Sequence, residues 1–225
     1  MEHRVSTYRS LALDFANPRP EQIDIEDISL GLCGESRFNN QYGFTLSPNT
    51  YTVAQHSIYA SLLVPPGYAL YALLHDASEA YMRDIATPLK TLLPEYRKIE
   101  EKVQGAIFQR FGLPARIPEE ARAWVKRVDL RLLLTERNAL FSEAQCVASS
   151  KLDWPGKGLE PYRFLRLERF APQAVHSQFL QRYASIVEDK PFIFLRDMWQ
   201  AQVDGTFEGA QPMEAPSSWA APRCA

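Results

Sequence analysis

The sequence predicts a mainly α protein, a helical bundle with a small β-hairpin at its N-terminus. Three observations predict it. Apolar residues recur at helical spacing over most of the chain. Prolines stand where helices begin, at Pro88, Pro94 and Pro118, or where one stops, at Pro65 and Pro66. Alternation of the strand kind is confined to residues 5–15. The 225 residues, 46% of them hydrophobic, suffice for one sizeable core. A single domain is expected over 1–204, followed by a Pro/Ala/Gly/Ser-rich tail over 205–225.

Each element has its own signal. Val5, Tyr8, Leu11, Leu13 and Phe15 alternate weakly, and the prolines at 18 and 20 break the hairpin. Asp24 is the expected N-cap of a helix in which Ile25, Ile28 and Leu32 share a face and which Gly34 ends. Residues 36–43 read as a loop. A helix over 52–64 carries His56, and the next, over 68–82, carries His75, Asp76 and Glu79. Residues 84–90 turn into a helix with Thr87 as N-cap and Pro88 at its first position. Pro94 opens an amphipathic helix that ends near Phe111 and Gly112, and Pro118 opens one that runs to about Ser142. Leu130, Leu132, Leu133 and Leu134 make the latter apolar almost all round, so it is expected deep in the core. Helices over 171–187 and around 192–200 complete the bundle.

Composition excludes several classes of function. The net charge of −2 gives no basic bulk for nucleic acid. Cys33, Cys146 and Cys224 are too scattered for a structural zinc site or a disulfide framework, so free thiols in a reducing cytoplasm are expected. The N-terminus lacks the apolar stretch of a signal peptide, and no run approaches the roughly 20 apolar residues of a membrane span.

The chemistry centres on the dipeptide His75-Asp76. An aspartate in an apolar helical stretch costs free energy unless something binds it. His56, Asp129 and Glu79 are candidates to share a ligand with the pair, and two His with two Asp suit a divalent metal. On a helix Glu79 lies one turn beyond His75 and Asp76, facing such a metal without ligating it. Taken singly, each residue has a plainer reading. His56 alone reads as a hydrogen-bonded core residue, and Asp129 alone reads as a partner of Arg127 or Arg131. His3 and His176 have no acidic neighbour and are left with that plain reading.

The order His56, His75-Asp76, Asp129 resembles the HD-domain metal-dependent phosphohydrolases. So do the local motifs TYRS (7–10), Asn17-Pro18, IDIEDI (23–28), RFN (37–39), TVAQHS (52–57), LLHDASEAY (73–81) and DIATPLK (84–90). These look like the phage and bacterial branch, which includes phage dATP triphosphohydrolases. The chain is similar, more distantly, to bacterial 5′-deoxynucleotidases. The resemblance covers about residues 6–142 and implies an HD-type helical bundle. It implies His56, His75, Asp76 and Asp129 as metal ligands, with Mn, Co, Zn, Fe and Mg all candidates. It further implies Glu79 and Asp84 as catalytic carboxylates and Arg37 and Lys90 as phosphate ligands. Phe38 stands where deoxynucleotidases have a tryptophan beside the sugar.

The chemistry of the residue types agrees in part. Arg suits bidentate phosphate contact, and Lys90 is expected in the first turn of its helix, where N–H groups favour anions. The expected function is hydrolysis of a (deoxy)nucleotide phosphate in the cytoplasm of a bacterium or phage-infected host. The best fit is dATP or another dNTP, cleaved to deoxynucleoside and triphosphate, with Arg83, Arg97 and Lys98 as further cations. A 5′-deoxynucleotidase acting on dNMPs and a non-catalytic nucleotide-sensing module are the alternatives. A cyclic-nucleotide phosphodiesterase would bring further ligand histidines, and the chain has only four His. Phage relatives of this type assemble, so a homo-oligomer is expected.

Overall fold

The computed structural model describes residues 3–42, 49–152, 154–156, 158–190 and 192. It is mainly helical, with a two-stranded antiparallel sheet at the N-terminus. Strands β1 (Arg4–Ser6) and β2 (Ala12–Asp14) pair with Val5 opposite Leu13, which places the hairpin where the alternation predicts it. Leu13 points into the core, fully buried.

Helix α1 (Ile25–Gly34) starts at Asp24, whose side chain accepts the Glu26 N–H at 2.9 Å. Helix α2 (Val53–Leu63) starts at Thr52, whose hydroxyl accepts the Gln55 N–H. Both caps satisfy amide groups that a helix start leaves without partners. The chain continues through α3 (Ala69–Leu74), α4 (Glu79–Met82), α5 (Thr87–Lys90), α6 (Pro94–Arg110) and α7 (Glu119–Leu140). Helices α8 (Glu143–Ser150) and α9 (Pro172–Val187) follow. Helix α2 is the hub. It packs on α1, α3, α7 and α9, and nearly every residue along its length is buried. Ile28, Leu32, Ile58, Leu73, Leu74, Ile107 and Phe179 meet in one core, and each such side chain contributes roughly 1.5–3 kcal/mol by leaving water.

Several elements differ from the sequence reading. The helix expected over 68–82 breaks in two around the His-Asp pair. His75 Nδ1 donates to the Ala72 carbonyl at 2.8 Å, the acceptor that a regular helix would offer to the Asp76 amide. The backbone tightens instead, with Ala77 N–H bonded to Leu74 and Glu79 N–H to Asp76. Helix α5 is a single turn that Thr87 begins rather than caps. Helix α7 is amphipathic rather than apolar all round: Ala121, Val125, Val128 and Leu132 are buried, while Arg122, Lys126 and Arg127 are exposed. Helix α8 is an addition, and its capping box was readable. Ser142 accepts the Gln145 N–H, and Gln145 accepts the Ser142 N–H.

Cys33 is a buried free thiol, pushed up to about 12 by burial. Cys146 is also buried but is not free, which corrects the expectation for that residue. Cys224, the tail over 205–225 and all but Phe192 of the helix expected at 192–200 lie outside the described residues. Among the described residues no helix is long and apolar enough to cross a membrane.

The crossing of α1 and α4 is tight at Gly31. A Cβ there would sit 2.6 Å from the Ala80 carbonyl oxygen and 2.7 Å from the Ala80 Cβ, so backbone would have to move. Ala80 follows Glu79, so this crossing sets where Glu79 stands. Gly31→Ala is expected to destabilise the fold by about 1–3 kcal/mol, as overpacking does. Urea denaturation checks this, and an unchanged midpoint would contradict the close approach.

Candidate metal centre

Three parts of the chain converge on one point. Helix α2 supplies His56, the break between α3 and α4 supplies His75 and Asp76, and α7 supplies Asp129. His56 Nε2 lies 3.3 Å from His75 Nε2 and 3.4 Å from an Asp129 oxygen. Asp76 Oδ2 lies 3.2 Å from His75 Nε2 and 3.9 Å from His56 Nε2. Groups that bind one ion through bonds of about 2.0–2.1 Å lie roughly 3 Å apart, so this spacing fits a shared ligand set. His56, His75 and Asp129 form a group able to hold a metal ion, and Asp76 adjoins it.

Both imidazoles are oriented from behind. His75 Nδ1 is taken by the Ala72 carbonyl, and His56 Nδ1 donates to Glu136 at 2.6 Å. Each ring therefore turns Nε2 toward the cluster. Burial and Arg37 oppose a charge on His56, but Glu136 and Asp129 outweigh them and bring its pKa to about 9. Burial likewise opposes charge on Asp76 and Asp129. The histidines beside them nevertheless hold both carboxyls below the usual range. Lys126, and neither Arg127 nor Arg131, pairs with Asp129 at 2.9 Å.

Glu136 is the functional candidate that the sequence reading missed. It is 0% exposed and accepts from His56, from Tyr51 Oη at 3.0 Å and from Arg37 Nε at 3.1 Å. It follows Asp129 by seven residues, two helical turns, so the pair shares one face of α7. That spacing was the available signal. Arg37 is buried too, with its NH1 3.9 Å from Asp76. It enters from a left-handed turn in which Phe38, Asn39 and Asn40 have φ of 54°, 50° and 60°. The Phe38 ring packs on Tyr42, Phe141 and Trp154, which anchors that turn.

Glu79 and Asp84 stand on the α4–α5 side. Glu79 is buried, and its Oε2 has no hydrogen-bond partner among the described residues. Burial, with Asp76 and Asp84 adding negative charge, raises its carboxyl well above the usual range. Burial raises Asp84 as well, against the pull of Arg37. Lys90 Nζ bonds Glu79 at 3.2 Å and Glu100 at 2.7 Å. It lies at the C-terminal end of the single-turn α5, so the expected support from helix N–H groups is absent there. His176 is hydrogen-bonded to Ser29 between α1 and α9, in keeping with its plain structural reading.

The fold and centre define a mainly α helical bundle whose interior His/Asp cluster is able to hold a metal ion. The chain is 34% identical over 169 residues to YfdR, an uncharacterized protein of Escherichia coli K12, spanning 75% of this chain and 86% of that one. It is 37% identical over 143 residues to an uncharacterized protein of Rhodobacter capsulatus, spanning 59% and 71% respectively. The chain belongs to the family of YfdR. No family model matches it.

Arg83 ends α4 with φ 75° and ψ 152°, a region that essentially only glycine occupies without strain. Glu35 holds this turn by pairing with the Arg83 guanidinium and accepting from the Asp84 N–H at 3.5 Å. The strained residue thus directs Asp84 toward the centre. Arg83→Gly is expected to be more stable than Arg83→Ala by about 1–2 kcal/mol, since only glycine relieves the strain. Calorimetric melting decides it, and the usual order, alanine above glycine, would rule the strain out.

Proposed function

We propose that this chain is a divalent-metal-dependent hydrolase of (deoxy)nucleotide phosphates. The observation that carries the reading is the convergence of His56 Nε2, His75 Nε2 and an Asp129 oxygen, with Asp76 beside them and both imidazoles fixed from behind. Such an ion, when bound, polarises phosphoryl oxygens and brings the pKa of water toward neutrality. His56, His75, Asp76 and Asp129 would hold it. Beside them Glu79 is buried with its Oε2 unpartnered among the described residues. It can take a proton from water and return it to the leaving oxygen as the phosphoester bond breaks. Asp84, with its carboxyl also raised, can accept a hydrogen bond from the sugar or donate one to phosphate. Phe38 would line the sugar side, and Arg37 and Lys90 would meet phosphate.

By resemblance the substrate is dATP or another dNTP, cleaved to deoxynucleoside and triphosphate. One observation favours a second reading, release of orthophosphate from a deoxynucleoside monophosphate. Four of the five cations that the sequence names are already engaged: Arg37 by Glu136, Lys90 by Glu79 and Glu100, Arg83 by Glu35 and Lys98 by Glu95. A monophosphate asks fewer of them to leave their carboxylates. The reading also includes a cytoplasmic setting and a homo-oligomer. Leu89, Leu92 and Leu93, exposed around α5, offer apolar surface for assembly.

The test incubates the purified protein with Mn, Co, Zn, Fe or Mg and paired deoxy- and ribonucleotides, and resolves orthophosphate, pyrophosphate and triphosphate. Deoxynucleotides are expected to react faster, and the product separates the two readings. No product with any metal discards the hydrolase. Glu79→Gln should retain metal and lose ~100-fold or more in rate, as removal of a general acid does. Near-normal turnover in that variant would take Glu79 out of the chemistry. Light scattering should show an oligomer at micromolar concentration, and a monomer there would count against assembly.

A further inference from the structure

We propose that Glu136 is the positioning residue of this centre. Its carboxylate holds His56 with Nε2 facing the metal, and it holds Arg37 beside Asp76, so it sets the affinity of the site for a divalent cation. The proposal rests on the metal-centre part of the reading above.

Both carboxylate oxygens are fully used. Oε1 accepts from His56 Nδ1 at 2.6 Å and from Tyr51 Oη at 3.0 Å. Oε2 accepts from Arg37 Nε at 3.1 Å, and the guanidinium NH2 completes the ion pair at 3.1 Å. Packing alone gives no reason for such a group. A buried ion pair can often be replaced by apolar side chains at no loss of stability, whereas leaving one partner alone is costly. What distinguishes Glu136 is where its donors lead. An imidazole ligates through the nitrogen that carries no proton, and a carboxylate behind Nδ1 keeps the proton there. The other oxygen grips Arg37 along one edge, which leaves NH1 as the nitrogen nearest Asp76, at 3.9 Å. One side chain therefore fixes a ligand ring and a cation at the same point. His75 receives the corresponding support from a backbone carbonyl, which no side-chain substitution removes. The His56 side is thus the adjustable half of the centre. Since α7 also carries Asp129 two turns earlier, the same helix supplies a direct ligand and the group that orients another.

The test strips the full chain with a chelator and titrates it with Zn and Co(II), by calorimetry and by the Co(II) visible spectrum. Glu136→Gln keeps the size of the side chain but brings an amide where a charge was. Its metal affinity is expected to fall 10–100-fold, the range seen when such supporting groups are removed, with an altered Co(II) spectrum. Tyr51→Phe takes a donor from the same carboxylate without touching His56, and its affinity should stay within threefold of the unaltered protein. Equal losses in both variants would show general disruption and overturn the inference. Unchanged affinity in a folded Glu136→Gln overturns the inference alone and leaves the metal centre standing. No binding by the unaltered protein overturns both. Should Glu136→Gln fail to fold, proton NMR of the zinc-loaded unaltered chain decides. A far-downfield His56 Nδ1–H resonance, protected from exchange, is expected. Ligation through Nδ1 would overturn the assignment.

Discussion

Glu136 has no water around it, so its charge must be held by donors from the protein, and the requirement to bring those donors together organises the centre. His56 arrives on α2, Tyr51 from the strand-like segment before it, and Arg37 from the turn after α1. The bridge between Ser36 and Thr52, with Arg37 N–H bonded to the Tyr51 carbonyl, brings the last two side by side. Tyr42 buttresses them, its hydroxyl bonded to both the Tyr51 N–H and the Tyr51 carbonyl. Apolar contacts settle which helices pack together, but they are tolerant of small shifts. A saturated buried carboxylate is not, because each donor that slips leaves a charged group unsatisfied.

Two strained segments border this network, and each is held by contacts outside itself. Left-handed backbone at Phe38, Asn39 and Asn40 follows Arg37, and the packing of Phe38 on Phe141 and Trp154 holds the turn. The glycine-like conformation of Arg83 carries the chain from Glu79 to Asp84, and Glu35 holds it. Glu35 is itself fixed by a bond from the Val53 N–H to its carbonyl, at the first turn of α2. The helix that carries His56 thus also restrains the turn that carries Asp84. Strain of this kind persists where the surroundings over-determine the backbone.

Much of the fold was legible because local chemistry decides it. Asp24 and Thr52 cap as their side chains dictate, Pro65-Pro66 end α2, and Pro94 and Pro118 stand at the starts of α6 and α7. The break at His75 was not legible. An apolar stretch with helical spacing gives no sign that one imidazole will take a carbonyl from the helix ladder. Helix α8 was not read either, although Ser142 and Gln145 spelled its start. In the centre, His56, His75, Asp76 and Asp129 were named from sequence, and the fold brings them together. Glu136 and Glu100 were not named. Their roles depend on what faces them across space: Arg37 lies 99 positions from Glu136, and Lys90 meets Glu100 from a separate helix.

In the centre, carboxyl groups outnumber permanent cations. Asp76, Asp129, Glu136, Glu79 and Asp84 are five carboxyl groups, and Arg37, Lys90 and Lys126 are the permanent cations that act on them. Glu79 and Asp84 are raised toward the neutral form, while His56 is raised toward the charged one. Burial is the first cause at Glu79 and Asp84, whereas the histidines hold Asp76 and Asp129 low and Arg37 with His56 holds Glu136 low. A divalent ion there would place two positive charges among these carboxylates, with His56 and His75 already turned toward it. An ion on His56 Nε2 would displace the proton there to solvent while Nδ1–H stays on Glu136, so the network behind it need not rearrange. Glu79, one turn beyond the ligands and paired with Lys90, would feel the charge of such an ion, which opposes the rise that burial and its carboxylate neighbours give its carboxyl.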